Sequence, residues 1–126
     1  MKILLVDDDP IVILLQRKLM EKAGISLPVV PFNNGETVLE YLVEDGGQTE
    51  ELLMFLDINM PGLSGWDVLD AVEGLKFPQL LKVIIITSSI ESSDKRRSAE
   101  YERIVDFWVK PFSIQDFTQL KDKFQL

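Results

Sequence analysis

Leu52-Leu53-Met54-Phe55-Leu56-Asp57-Ile58-Asn59-Met60-Pro61-Gly62 is the stretch that decides the fold. Five consecutive apolar residues have the length and continuity of a strand covered on both faces. The run stops on a carboxylate and turns at Pro61-Gly62. A strand ending this way sets Asp57 at the carboxyl edge of a sheet, where open α/β folds build their sites.

Three further apolar runs end on polar groups. Ile3-Leu4-Leu5-Val6 meets Asp7-Asp8-Asp9, Val83-Ile84-Ile85-Ile86 meets Thr87-Ser88-Ser89, and the run 105–109 meets Lys110-Pro111. Carboxylates, hydroxyls and one ammonium group thus converge on one edge, the inventory needed to hold a divalent metal and a phosphoryl group.

The runs 3–6, 27–30, 52–56, 83–86 and 105–109 alternate with helical stretches, which predicts βαβ units and a parallel sheet. Asp9 and Pro10 form an N-cap and first helical position, and that helix should run through Lys22 to a stop near Gly24. A second helix is predicted over 36–43, followed by a polar loop over 45–48. Ser64 with Asp67, and Ser113 with Asp116, carry capping spacing, so helices should begin there. Residues 92–103 hold Lys95, Arg96, Arg97, Glu100, Glu102 and Arg103 but few apolar anchors, so this helix should be short or loosely docked.

The chain of 126 residues is expected to form one domain over 1–126, with no linker leading to an output domain. A formal charge of −8 argues against nucleic-acid or anionic-membrane binding, both of which rest on basic residues, and favours protein partners. The chain has no Cys and no His, which removes disulfides, the usual zinc sites and imidazole catalysis. The sequence shows neither a signal peptide nor a run of about 20 apolar residues, so a cytoplasmic location is expected.

Each site residue also has a plain structural reading. Asp7 and Asp8 could form a solvated acidic turn, Asp57 a turn former, Thr87 a β-branched strand residue, and Lys110 a snorkelling surface lysine. Adjacent carboxylates repel unless a cation lies between them, and polar groups ending four runs in order favour a built site.

On these residues the chain resembles a response-regulator receiver domain over essentially its whole length, similar to the single-domain chemotaxis regulators. The matching positions are Val6-Asp7-Asp8, Asp57 with Met60-Pro61-Gly62 and Gly65, Thr87-Ser88, and Lys110-Pro111-Phe112. The resemblance implies a flavodoxin-like, doubly wound sheet in strand order 2-1-3-4-5 with helices on both faces. It implies that Asp57 accepts a phosphoryl group from a partner's phosphohistidine, carried by a sensor histidine kinase or a histidine phosphotransfer protein. Asp8 and Asp57 would bind Mg2+ with the backbone carbonyl of Asn59, and Asp7 would hold a metal-bound water. Lys110 would pair with the phosphoryl oxygens, Thr87 would reach them through its hydroxyl beside the Ser88 amide, and Phe107 takes the switch-aromatic position. The Lys110–Pro111 bond would be cis.

As a member of that family the chain would be a signalling phosphoacceptor that catalyses only its own phosphorylation and dephosphorylation, not a conventional enzyme. It would signal to a separate downstream protein. Phe107 lacks a phenolic hydroxyl, and Asn59 and Ser89, at positions that tune dephosphorylation in the family, are both neutral. Two other classes remain. One is a constitutive, non-phosphorylated receiver-like interaction module, which would be expected to lack Asp57 or Lys110. The other is a small metal-dependent phosphatase, against which stands Asn59 where a second carboxylate would be needed.

Overall fold

The computed structural model describes residues 1–45, 50–74, 80–88 and 92–126. Five strands, β1 (Lys2–Val6), β2 (Val29–Phe32), β3 (Leu52–Asp57), β4 (Leu81–Thr87) and β5 (Ile104–Val109), alternate with five helices. These are α1 (Pro10–Lys22), α2 (Gly35–Asp45), α3 (Gly65–Gly74), α4 (Ser92–Ser98) and α5 (Ile114–Phe124). All strand pairs are parallel and the order is β2-β1-β3-β4-β5, as the resemblance implied. Asp45 ends α2; the rest of the polar loop read over 45–48 lies outside the described residues, as does Ser89.

The two-residue pleat sorts the apolar runs into two cores. Leu4 and Val6, Met54 and Leu56, and Val83 and Ile85 pack with Val38 and Leu42 of α2 and Trp66, Val68, Leu69 and Val72 of α3. Ile3 and Leu5, Leu53 and Phe55, and Ile84 and Ile86 pack on the opposite face with Met20 of α1 and Phe117 and Leu120 of α5. Every residue of β3 is buried. This strand is therefore the central spine of the fold, and the continuous run 52–56 is what double-sided burial requires.

Local chemistry sets the helix ends. The Asp9 carboxylate accepts the Ile11 amide at 2.9 Å and Pro10 opens α1, while a reciprocal Ser113–Asp116 capping box opens α5. Ser64 and Asp67 exchange the same pair of bonds ahead of α3, at 2.9 and 3.2 Å.

One sequence reading needs correction. The second strand spans Val29–Phe32, two residues later than the predicted 27–30. Ile3 and Asp7 donate to the carbonyls of Pro28 and Phe32, so alternate residues from 28 to 32 face β1 and Pro31 points its donor-less nitrogen outward at the sheet edge. A proline there interrupts no ladder bond.

The segment 92–103 contains a short helix of seven residues, as predicted, held by few contacts. Arg97 lies over the Trp66 ring at 5.0 Å and pairs with Asp70 at 3.5 Å. Tyr101 stacks on Trp66 at 5.8 Å and donates its hydroxyl to Asp70. Buried Arg103 pairs with Glu73 at 2.9 Å and also donates to the Leu81 carbonyl. The anchors are polar and aromatic rather than aliphatic. On β5, the other edge strand, Asp106 accepts the Phe107 amide at 2.8 Å and the Trp108 indole at 3.0 Å.

Candidate functional site

The site lies where β1, β3 and β4 end and β5 hands over to Lys110. Val6, the last residue of β1, pairs with Leu56, which brings Asp7 beside Asp57, and Thr87 pairs with Val109, which brings Lys110 to the same edge. The Lys110 amide donates to the Thr87 carbonyl at 2.8 Å. Strand register alone thus assembles residues separated by half the chain.

Asp7 and Asp57 are buried and Asp8 is exposed. Carboxylate oxygens of Asp7, Asp8 and Asp57 fall within 4.8 Å of one another. The Lys110 ammonium reaches the group from the side, 2.9 Å from Asp7 and 3.7 Å from Asp57. The Asp9 amide donates to Asp7 at 2.9 Å and the Asn59 amide to Asp57 at 3.1 Å. Three carboxylates against one ammonium leave a net local charge of about −2, and an all-oxygen donor set of this kind suits a hard divalent cation such as Mg2+.

Burial of Asp57, which is 4% exposed, pushes its carboxyl up to about 6, and the neighbouring Asp7 charge adds to the rise. The Lys110 charge and the Asn59 amide oppose that rise, while Asp8 reinforces it. Burial alone would lower the Lys110 ammonium, but its hydrogen bond to Asp7 and the charges of Asp57, Asp7 and Asp8 outweigh burial and raise it. The lysine therefore stays charged, and Asp57 is mainly ionised at neutral pH.

The remaining predicted residues lie around this centre. Thr87 ends β4 and is fully buried, Ser88 follows it on the surface, and Phe107 is half-buried against the core that holds Trp66 and Tyr101. Lys110–Pro111 is a cis peptide.

Two glycines shape the loop leaving Asp57: Gly62, read in the sequence as the turn, and Gly65, a matching position whose physical task the sequence left open. Gly62 has φ +78°, the left-handed region that favours glycine. A Cβ on Gly65 would lie 2.7 Å from the Asp57 carbonyl oxygen, so only glycine lets α3 start against the backbone that carries the carboxylate. A glycine directly after the capping Ser64 was the available signal.

The model of the response regulator receiver domain family matches residues 3–121. The chain is 28% identical over 116 residues to the "Probable methanogenesis regulatory protein FilR2" of Methanothrix harundinacea, covering 90% of this chain and 74% of that protein. It is 34% identical over 117 residues to the "DNA-binding transcriptional regulator NtrC" of Escherichia coli, covering 93% of this chain but 23% of that much longer protein. Among solved structures, a two-component response regulator from Cytophaga hutchinsonii superposes with a TM-score of 0.85 at 23% identity, covering 98% of this chain and 96% of the other. Among the described residues no helix is long and apolar enough to cross a membrane.

Proposed function

Because the chain belongs to the response regulator receiver domain family, we propose that it is a phosphoacceptor of a two-component or phosphorelay system, with Asp57 as the acceptor. The observation that carries this reading is the position of the Lys110 ammonium, 2.9 Å from Asp7 and 3.7 Å from Asp57 at the shared strand edge. A nucleophilic carboxylate and a fixed positive charge then flank one small volume.

In the proposed reaction an ionised oxygen of Asp57 attacks the phosphorus of a phosphohistidine on a sensor histidine kinase or histidine phosphotransfer protein. The P–N bond breaks, the imidazole leaves with its electron pair and takes up a proton, and an aspartyl phosphate forms. Phosphoryl transfer of this kind needs positioning and neutralisation of charge on the equatorial oxygens. Lys110 supplies one positive charge. Asp8 and Asp57, with the carbonyl of Asn59, would hold Mg2+, and Asp7 would hold a water on it. When bound, that ion supplies further charge neutralisation at the transferring group.

The Thr87 hydroxyl and the Ser88 amide would receive the phosphoryl oxygens after transfer. A dianionic group at Asp57 offers Thr87 a charge-assisted hydrogen bond, and the half-buried Phe107 ring can turn into the space that the threonine leaves. The signal then passes across α4, β5 and α5 to a separate protein. We place the whole chain, 1–126, in one receiver domain that works in the cytoplasm and needs neither nucleic acid nor membrane.

The test is mass measurement after incubation with acetyl phosphate, with and without magnesium. One added phosphoryl group is expected in the parent chain with magnesium, and none in Asp57→Ala. Equal labelling of both would rule out Asp57 as the acceptor.

A further inference from the structure

Away from the phosphoacceptor edge, α2 and the loop 60–64 enclose a groove of about 400 Å³ lined by Leu39, Val43 and Leu63 and by Glu36, Glu40 and Glu44. Its floor is apolar. Leu39 and Leu63 pack down onto the core, while Val43 stands 59% exposed at the rim.

The three glutamates follow one another at four-residue spacing, so they form a single acidic ridge along one helix face. None of them has an ion-pair partner among the described residues. Like charges at this spacing destabilise a helix. Glu44 also sits in the last turn of α2, which carries no basic residue, although the negative end of the helix dipole favours cations there. Glu36 alone, in the first turn, suits its position. Two separate local strains, repulsion along the ridge and an acid at the wrong helix end, are thus left for something outside the domain to relieve.

We propose that this groove is a docking site for a basic amphipathic helix of a partner protein. Apolar residues of the partner at helical spacing would cover Leu39, Val43 and Leu63, and lysines or arginines flanking that stripe would pair with Glu36, Glu40 and Glu44. A second copy of this chain is the rival occupant, since its α1 exposes Ile11, Leu14 and Leu15 beside Arg17 and Lys18, but two copies that each carry a formal charge of −8 repel, which favours a basic partner. An anionic lipid surface would be repelled by the ridge. Loop 60–64 leads directly from the Asp57 strand, and Glu36 approaches to 3.2 Å of where a Cβ on Gly62 would stand, so an occupant would sit against the segment leaving the phosphoacceptor.

The probe is a labelled helical peptide with leucines at positions i, i+3, i+4 and i+7 and lysines on both flanks. It is titrated into the full chain by fluorescence anisotropy, with amide NMR shifts to locate it. Saturable binding is expected, with shifts concentrated at 36–44 and 62–64 and weakening as salt rises. The double variant Glu40→Lys with Glu44→Lys should bind roughly 10-fold more weakly, since two favourable charge contacts become repulsive. Val43→Ser, at a surface position that the fold tolerates, should weaken binding while leaving the salt dependence unchanged. Ile11→Ser on α1 should bind the peptide like the parent. Absence of saturable binding, shifts confined to α1, or affinity unchanged by the charge reversals would overturn the proposal. So would self-association of the parent chain, measured by sedimentation, that the charge reversals abolish.

Discussion

The carboxyl ends of β1 and β3 and the edge strand β5 lie in one sheet, yet different forces hold the strands and the neighbouring helix α4. In β3 every side chain is buried, and β1 is buried from Ile3 onward. In β5 five of six residues are half-buried and the last is exposed, and α4 is held through Arg97 to Trp66 and Asp70 rather than by aliphatic packing. The difference teaches where precision is needed. The carboxylates sit on strands that can move only by opening the core, as a site proposed to hold a fixed geometry requires. The surface proposed to change shape rests on a few polar and aromatic contacts that can be exchanged one at a time.

The contrast breaks most visibly on truncation. Leu53→Ala should lower unfolding free energy by about 3 kcal/mol, because the fully buried side chain leaves a cavity. Half-buried Val105→Ala should lower it by only about 1 kcal/mol. Urea titration checks both, and equal losses would erase the distinction between the two regions.

The rigid edge carries an electrostatic penalty that the α4 face lacks. Asp57 titrates at about 6 in the folded chain against an ordinary 3.8, so between these values the folded state alone holds the proton. Metal-free stability should therefore fall as pH rises through that window and level off above it. Asp57→Asn should abolish this slope and stabilise the metal-free protein near pH 7 by on the order of 2 to 3 kcal/mol. Denaturation midpoints between pH 4 and pH 8 would show it; a slope retained in the variant would assign the effect elsewhere.

Within the edge itself, two adjacent acids should separate. Asp8 belongs to the carboxylate cluster, whereas Asp9 caps α1. Asp8→Asn should weaken magnesium binding about 10-fold, ~1.4 kcal/mol, while Asp9→Asn, an equally good cap, should leave it unchanged. Calorimetric titration with magnesium chloride distinguishes them. A greater loss in the Asp9 variant would reverse the assignment.

The smallest expected effect lies on the α4 face. Arg97→Ala removes a cation–π contact and a solvent-exposed ion pair, about 0.5 kcal/mol together. Amide exchange in α4 should speed up while phosphoryl incorporation at Asp57 stays the same. Slower incorporation would mean that the two regions are already coupled before phosphorylation.

What could be read from the chain follows the same division. The buried strands announced themselves as unbroken apolar runs, and the polar residue closing each run marked the site edge. β2 was placed two residues early because its short apolar run is interrupted by Pro28 and Pro31, and Pro31 reads as a breaker unless its outward orientation is known. The anchoring of 92–103 was hidden because Arg97, Tyr101 and Arg103 read as surface residues until their partners Trp66, Asp70 and Glu73, far off in sequence, are brought beside them. Lys110 was legible as a site residue, but its closer approach to Asp7 than to Asp57 depends on strand register.

The Asp106 carboxylate, which takes the Phe107 amide and the Trp108 indole, has a consequence for how this molecule meets others. An edge strand usually offers its unpaired amides as a template for another chain. Here one such amide on β5 is already engaged by its neighbour's side chain, and on the far edge Pro31 has no amide to give. Both margins of the sheet are blunted against strand addition and the aggregation that follows from it. Helix faces and side chains are then the surfaces on which association would be selective and reversible.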